Sequence, residues 1–461
     1  MRTLGESRAL AGHGIPEQVR RSILESLSAG LEAADPATAV HAFLRCADGR
    51  LAVDGWSAAP RRVVVVGAGK AGGAMASAVE DRVGASVHEG IVIVKDGHRV
   101  PTRVVELCEA SHPVPDGRGV EATRRLVDLA RRTDSDDLLL VVLSGGGSAL
   151  LTWPAEGLTL ADLQATTDVL LRSGASIHEL NVVRRHLDRV KGGGLVRLVG
   201  PVPVLTLALS DVVGDDPAVI ASGPTVADPT TFTDACEVVA RYGLWSVVPA
   251  PVADLLRRGA RGGVLDTLKP GDAALARTHY VIVGGKRLAA EAMAQRVREL
   301  GLSGAVLTTG VQGEARQVGA QLARLALDLA AGRGPLPLPA CVVLGGETTV
   351  TVRGPGRGGR NQEVALAAAI ALDGVPGVAV ACLGTDGGDG PTPAAGAAVD
   401  GTTVARARRL GLDAATHLDR NDSFPFFAAL GDHLITGPTG TNVCDLYCAF
   451  AWGPEAATAR A

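Results

Sequence analysis

Short, almost wholly apolar segments alternate with helical patterns along most of this 461-residue chain. The apolar segments include RVVVVG (62–67), GIVIVKD (90–96), LLLVVLSG (138–145) and PVLTLALSD (203–211). The intervals between them repeat apolar residues at the period of a helix. This alternation predicts a parallel sheet that is covered by helices on both faces. In such sheets ligands bind beyond the carboxyl ends of the strands, so the residues that follow each strand are the first candidates for a site.

The same alternation predicts two α/β domains. Residues 249–276 are rich in Pro, Arg and Gly and are typical of a connection, and a second series of strands and helices begins at 279–285. We expect an N-terminal α/β domain with a mostly parallel sheet over residues 16–255. We expect a C-terminal α/β domain over residues 277–452, and a cleft between the two domains.

Composition excludes several classes of protein. Hydrophobic residues make up 46% of the chain, charged residues make up 20%, and the formal net charge is −4, which leaves no basic footprint for nucleic acid. The longest apolar run, residues 138–143, is too short to span a membrane. The N-terminus lacks the apolar segment of a signal peptide, and seven dispersed cysteines suit a reducing compartment. We expect a cytoplasmic monomer or homodimer that binds neither nucleic acid nor membranes.

The first glycine turn, GAGKAG, follows a strand and precedes a helix. Gly67, Gly69 and Gly72 match the G-x-G-x-x-G pattern of dinucleotide-binding turns, and Lys70 lies within it. A dinucleotide site also needs an acidic residue about 20 residues further on, whereas Asp96 comes late and beside a lysine. Backbone N–H groups with a lysine suit any phosphate. We therefore predict phosphate binding, with NAD binding and a plain tight turn as the alternatives.

A second glycine turn follows the strand at 138–143 and consists of Ser144, three glycines (Gly145, Gly146 and Gly147) and Ser148. Glycines without side chains let a backbone approach a ligand closely, and the hydroxyl groups add donors, so this turn is also predicted to bind an anion. The serine-hydrolase pattern G-x-S-x-G is incomplete here, because Leu150 stands where its last glycine belongs.

Charged residues also concentrate in two further segments. Asn181, Arg184, Arg185 and Lys191 lie in one dense positive segment, which is either a ligand-binding surface or a solvated helix face. Asp211 follows the strand at 203–211, a position suited to a metal ion or to substrate hydroxyl groups.

The C-terminal half contains a glycine-rich loop with arginines, GGETTVTVRGPGRGGRNQE, in which Arg360 precedes a helix capped by Asn361. Arginines on a flexible glycine loop suit the charge of a phosphoryl group. Asp386 and Asp389 lie in a later glycine loop, and with Glu347 they are candidates for magnesium, which takes one or two carboxylates plus phosphate oxygens.

Seven segments in order resemble the glycerate 2-kinase family with a C-terminal MOFRL domain, here about residues 337–450. They are AGKAGGAMA, SHPVPDGRG, LSGGGSALL, ELNVVRRHLDRVKGGGL, SDVVGDDPAVIASGPTVAD, GGETTVTVRGPGRGGRNQE and GTDGGDGPT. The resemblance implies ATP- and Mg²⁺-dependent phosphorylation of D-glycerate at the 2-hydroxyl, and it places the family's catalytic lysine and arginine on Lys70 and Arg360. It also implies a Rossmann-like N-terminal domain and an active site in the interdomain cleft. Pro393 and Lys286 depart from the family pattern.

On this reading ATP phosphates lie on the two glycine turns, Lys70 bridges the transferring group and Arg360 stabilises its charge. Asp211 orients the hydroxyl. Asp386, Asp389 and Glu347 are the expected metal ligands. The substrate carboxylate is expected to be bound by Arg184, Arg185, Lys191 and Asn181. The alternatives are an NAD(P)H-dependent hydroxypyruvate reductase, a label that some family members once carried, and a noncatalytic sensor of sugar acids or phosphates.

Overall fold

The computed structural model describes residues 4, 9–11, 15–212 and 214–453. The helices are α1 (Glu17–Ala34), α2 (Pro36–Phe43), α3 (Gly72–Val83), α4 (Gly117–Ala130), α5 (Gly147–Leu150), α6 (Leu160–Arg172), α7 (Ile177–His186), α8 (Gly194–Val199), α9 (Phe232–Arg241), α10 (Ala250–Ala260), α11 (Lys286–Glu299), α12 (Ala315–Ala330), α13 (Arg360–Leu372), α14 (Thr403–Arg409), α15 (Ala414–Asp419) and α16 (Ser423–Leu430). The strands are β1 (Arg45–Ala47), β2 (Arg50–Val53), β3 (Trp56–Ala58), β4 (Val63–Ala68), β5 (Val87–Lys95), β6 (Val105–Ala110), β7 (Leu138–Leu143), β8 (Val204–Ser210), β9 (Thr278–Gly285), β10 (Ser303–Glu314), β11 (Ala340–Thr349), β12 (Val378–Gly384), β13 (Gly396–Asp400), β14 (His433–Leu434) and β15 (Asp445–Ala451). None of the helices described is long and apolar enough to cross a membrane.

The chain forms two compact units. One spans Pro36–Val283, and the other combines the described residues up to Asp35 with those from Gly284 onward. These limits differ from the predicted domains, because α1 packs on α11 in the second unit, where a Cβ on Gly30 would lie 2.7 Å from Met293 Cγ. The predicted connection at 249–276 contains α10, whose apolar side is buried.

The sheet of the first unit has the strand order β6-β5-β4-β7-β8-β9. Four of its pairings, from β6 across to β8, are parallel. All residues of β4, β7 and β8 are buried, which explains their nearly continuous apolar sequence. The mostly parallel, Rossmann-like sheet is therefore confirmed. We predicted β9 as the start of the second series, whereas it is the edge strand of this sheet.

The strand order of the first sheet reverses between β4 and β7. From β4 the chain continues to β5 on one side, and it returns to β7 on the other. The two glycine turns follow these two adjacent strands, so they lie next to each other at the point where doubly wound sheets bind ligands.

The sheet of the second unit is mixed and has the order β10-β11-β15-β12-β13-β14. β15 lies between β11 and β12 and is antiparallel to both, so its first residue lies towards their carboxyl ends. Asp445 is accordingly opposite both Gly346 and Gly384. This arrangement brings residues that are distant in the sequence to one edge of the sheet.

Candidate functional site

The backbone of the first glycine turn is bonded within the protein. The N–H of Gly69 donates to Ile93 O (3.0 Å), that of Lys70 to Gly145 O (2.9 Å), and that of Gly72 to Gly69 O (3.0 Å). The N–H of Ala71 donates to the Ser144 hydroxyl (3.0 Å). These amides are therefore not open donors for a phosphate, although we predicted that role for the turn.

Close packing accounts for the glycines of this turn. A Cβ on Gly67 would lie 2.0 Å from Val142 O, and one on Gly72 would lie 2.9 Å from Val92 Cγ1. Gly69 has φ +143°, and a Cβ there would lie 2.0 Å from Ser144 Oγ. The group that the turn leaves open is the half-buried Lys70 side chain, which makes no hydrogen bond or ion pair with any residue that the structure describes.

The second glycine turn leaves two backbone donors open. The N–H groups of Gly145 and Gly146 have no acceptor among the described residues, whereas that of Gly147 donates to Ser144 O (3.1 Å). Gly146 has φ +84°, which favours glycine. Buried amides are rarely left unpaired. The turn is therefore the better candidate for an anion site.

The serines of the second turn have different surroundings. Ser144 is buried and, as the acceptor for Ala71, it joins the two turns. The Ser148 and Ser222 hydroxyls are 2.7 Å apart, and the Ser222 hydroxyl donates to Asn181 Oδ1 (3.3 Å). Asn181 thus supports the turn from α7. The N-terminus of α7 is capped by Ser176.

Asp211 lies beside the second turn, at the end of β8 as predicted. A Cβ on Gly145 would lie 2.2 Å from its Oδ2 atom. The carboxylate therefore occupies the space where any other residue type at position 145 would place its side chain, next to the open amides.

The predicted cations of α7 and the following turn differ in their partners. Arg185 is buried and ion-paired with Asp228 (2.6 Å). Lys191 is buried, donates to Leu151 O (2.9 Å) and is ion-paired with Asp188 (2.8 Å). Both cations therefore have structural partners.

Arg184 has no hydrogen bond or ion pair with the residues described. Burial lowers the pKa of its guanidinium, and the nearby charge of Asp188 opposes this effect. It lines a small cavity together with Ser148, Thr152, Asp188 and Lys191. A guanidinium remains charged at any relevant pH. Of the three predicted cations, Arg184 is therefore the one that can bind an anion without losing a protein partner.

The second unit holds Arg360 at the start of α13. Its guanidinium contacts both oxygens of buried Asp445 (3.0 and 2.7 Å) and donates to Glu347 Oε1 (2.8 Å). Burial opposes its charge, but Asp445 and Glu347 outweigh burial and raise the pKa of Arg360. About a third of the side chain is exposed. The arrangement holds a permanent charge in one orientation at the sheet edge.

Asp389 is a helix cap. Its carboxylate accepts the N–H groups of Asn361 (3.0 Å) and Gln362 (2.9 Å), and Gly359, not Asn361, is the capping position of α13. It also accepts from the Asn361 and Gln362 side chains. Burial raises the pKa of Asp389 to about 6 against these donors. Its oxygens are occupied, which disfavours the predicted role in metal binding.

Among the predicted metal ligands, Asp386 is exposed and accepts one bond, from Gly388 N (3.1 Å). Glu347 is engaged by Arg360. The described part of the chain contains no group of three or more His, Cys, Asp or Glu residues that could hold a metal ion. Asp386 is thus the predicted ligand that retains an open carboxylate oxygen.

The glycine-rich loop before α13 is packed and bonded. Cβ atoms on Gly354 and Gly356 would lie 2.6 and 2.4 Å from Arg420 backbone atoms. Asn421 Oδ1 accepts the N–H groups of Arg353 (2.6 Å) and Gly354 (3.0 Å). Close approach explains these glycines, whereas we had interpreted the loop as flexible.

Our sequence reasoning missed Asp445 and His112. Asp445 holds Arg360 from a strand that is 85 residues away in the chain. His112 belongs to the SHPVPDGRG segment and lies over Gly146, where a Cβ would be 3.1 Å from its Nε2. The segment itself was a signal that we did not connect with a site.

Comparisons with known proteins agree with this architecture. Residues 22–257 match the model of a domain of unknown function, DUF4147, and residues 340–445 match the MOFRL family. The chain is 39% identical to the glycerate 2-kinase of Pyrococcus horikoshii, over 93% of this chain and 96% of that protein. It is 44% identical to an Agrobacterium vitis protein that bears the provisional name hydroxypyruvate reductase, over 84% of this chain and 98% of that protein.

A crystal structure of the glycerate kinase of Thermotoga maritima superimposes with a TM-score of 0.85 at 38% identity, and the match covers 95% of this chain and all of that one. The matched segments span both units and both sheet edges described above. The chain therefore belongs to the glycerate 2-kinase family.

Proposed function

We propose that this chain transfers the terminal phosphoryl group of ATP to the 2-hydroxyl of D-glycerate, giving 2-phospho-D-glycerate and ADP. One observation supports this most strongly. The adjacent turns after β4 and β7 carry the unpartnered Lys70 side chain and the open amides of Gly145 and Gly146. Donors that the protein itself leaves unsatisfied suit phosphate oxygens.

The first turn is less suited to a dinucleotide. Its amides are bonded to the protein, so they cannot also hold a pyrophosphate. Asp96, the acidic residue that follows the next strand, accepts two hydrogen bonds from Arg118 (2.7 and 2.8 Å) and is therefore not open to a ribose hydroxyl. These contacts favour the kinase over the reductase.

The reaction forms a bond between the glycerate 2-oxygen and phosphorus and breaks the bond between phosphorus and the leaving oxygen of ADP. Lys70 and the two open amides offset negative charge on the phosphoryl oxygens. Arg184 pairs with the substrate carboxylate. Asp211 accepts a hydrogen bond from the reacting hydroxyl and its proton late in the transfer, because the transition state is loose.

Arg360 is the second group that we propose to stabilise the transition state. Asp445 and Glu347 hold it, so no side-chain reorganisation is needed at the moment of transfer. A fixed guanidinium matches the oxygens of a phosphoryl group better than a lysine would.

We propose magnesium as the metal that accompanies ATP. Asp386 fits the usual pattern of one carboxylate with substrate phosphates and water as the other ligands, and Asp389 does not. Bound magnesium would neutralise phosphate charge during transfer. Asp386→Asn should raise the Mg²⁺ concentration needed for half-maximal rate, whereas Glu299→Gln, an exposed charge change on α11, should not.

The proposal is tested by ADP release with D-glycerate, ATP and Mg²⁺ in wild type and in Lys70→Ala. The variant should lose on the order of 1,000-fold in kcat, as removal of a preorganised donor does. Arg82→Ala, which removes an exposed charge from the far end of α3, is the control and should keep its rate. NADH oxidation with hydroxypyruvate, without ADP release from glycerate, would reject the kinase.

A further inference from the structure

The segment between β6 and α4 contains a histidine that the proposed reaction does not use. Asp116 in this segment caps α4, since its Oδ1 accepts from Gly119 N (3.0 Å), so its role is structural. His112 has no such role. Both of its ring nitrogens lack a hydrogen-bond partner among the described residues, and the side chain is half-buried.

His112 lies at the open donors of the second glycine turn. A Cβ on Gly146 would be 2.9 Å from His112 Cδ2 and 3.1 Å from Nε2, and it would be 3.4 Å from Lys70 Cγ. The imidazole and the Lys70 side chain therefore flank the same glycine. Any ligand that accepts the Gly146 N–H is within reach of both side chains.

The ionisable groups that act most strongly on His112 are all basic side chains. Burial is the largest effect, and Lys70, Lys95, Arg184 and His98 add to it, which lowers the pKa of His112 to about 4. The free imidazole is therefore neutral near pH 7. A bound anion would offset the charges of Lys70, Lys95 and Arg184 and favour the imidazolium, which would then form a charge-assisted hydrogen bond.

We propose that His112 binds the terminal phosphoryl group of the nucleotide together with Lys70 and takes up a proton as it does so. This inference rests on the proposed kinase function. A lysine at this position would add a permanent cation to a group of cations in the empty site, at a cost in stability. A histidine becomes positively charged only when a bound anion offsets the surrounding positive charge.

The test is calorimetric binding of the nonhydrolysable β,γ-imido analogue of ATP with Mg²⁺, between pH 5.5 and 8, in buffers that differ in ionisation enthalpy. Proton uptake is compared between wild type and His112→Gln, which keeps an N–H donor and cannot titrate. The nucleotide's own titration is common to both proteins and cancels in the difference. Wild type should take up more protons, by up to one per site, and its affinity should rise more steeply towards low pH.

His112→Ala should bind the analogue about 10- to 100-fold more weakly, the loss expected for one charge-assisted bond, with an unchanged melting temperature. The control is His88→Gln, because His88 is exposed and lies at the start of β5, at the other end of that strand from the glycine turns. This variant should behave as wild type. Equal proton uptake in wild type and His112→Gln would overturn the inference while leaving the kinase intact. Failure of wild type to bind the analogue would overturn both.

Discussion

Two adjacent arginines of α7 should respond in opposite ways to the same substitution. Arg185 pairs with Asp228 at 2.6 Å, and both side chains are almost fully buried. Removing one partner of such a pair leaves a buried charge uncompensated and costs about 3–5 kcal/mol. Arg184 has no partner among the described residues, so Arg184→Met, which keeps much of the apolar stem, should change the free energy of unfolding by less than about 1 kcal/mol.

The effects on catalysis should be the reverse. If Arg184 binds the glycerate carboxylate, its loss removes a hydrogen bond to a charged group, worth about 1.5–3 kcal/mol. This corresponds to a rise in the KM for glycerate of about 10- to 150-fold, with a smaller change in the KM for ATP. Arg185→Met should lower stability and leave both KM values near wild type in the protein that remains folded.

The assay combines urea unfolding with steady-state kinetics on wild type, Arg184→Met and Arg185→Met. The reasoning is refuted if Arg184→Met is fully folded and keeps the wild-type KM for glycerate. It is also refuted if Arg185→Met is as stable as wild type, since the Arg185–Asp228 ion pair would then contribute nothing to the free energy of unfolding.

Three further variants test other contacts. Asp445→Asn removes the bidentate partner of Arg360, so kcat should fall at least 10-fold while the KM for glycerate stays near wild type, and urea unfolding should show a loss of about 1–3 kcal/mol. Asp389 has a pKa of about 6 in the folded protein against an ordinary value of 3.8, so the unfolded state releases its proton first as pH rises. The free energy of unfolding should therefore fall by up to about 3 kcal/mol between pH 4 and 6. Urea titrations at a series of pH values should show this decrease in wild type and not in Asp389→Asn. Gly145→Ala would place a methyl group 2.2 Å from Asp211 Oδ2, and a displacement of that carboxylate should lower kcat on the order of 100-fold, with far-UV circular dichroism unchanged.

The sequence predicted the local parts of this fold well. Buried parallel strands carry a nearly continuous apolar signal, so β4, β7 and β8 could be placed to within a few residues. The position of α1 could not be predicted in this way, because its partner α11 is distant in the chain. The same holds for β15, whose central place in the second sheet depends on pairing with β11 and β12.

In the site, a sequence motif does not always indicate the function of its residues. GAGKAG has the pattern of an anion-binding turn, but its amides are bonded to Ile93, Gly145 and Ser144, contacts that no local pattern reveals. Arg184 and Arg185 are adjacent and of the same type, so the sequence does not distinguish them. Only the tertiary structure shows that Arg185 forms the ion pair with Asp228. Long-range partners therefore decided which predicted residues stay open to a ligand.

Phosphorus NMR of the product formed from D-glycerate, ATP and Mg²⁺ tests the central claim most directly. We expect the signal of 2-phosphoglycerate together with that of ADP, and neither signal in Lys70→Ala beyond the uncatalysed background. A 3-phosphoglycerate signal would contradict transfer to the 2-hydroxyl, and the absence of any phosphorylated glycerate would contradict phosphoryl transfer itself.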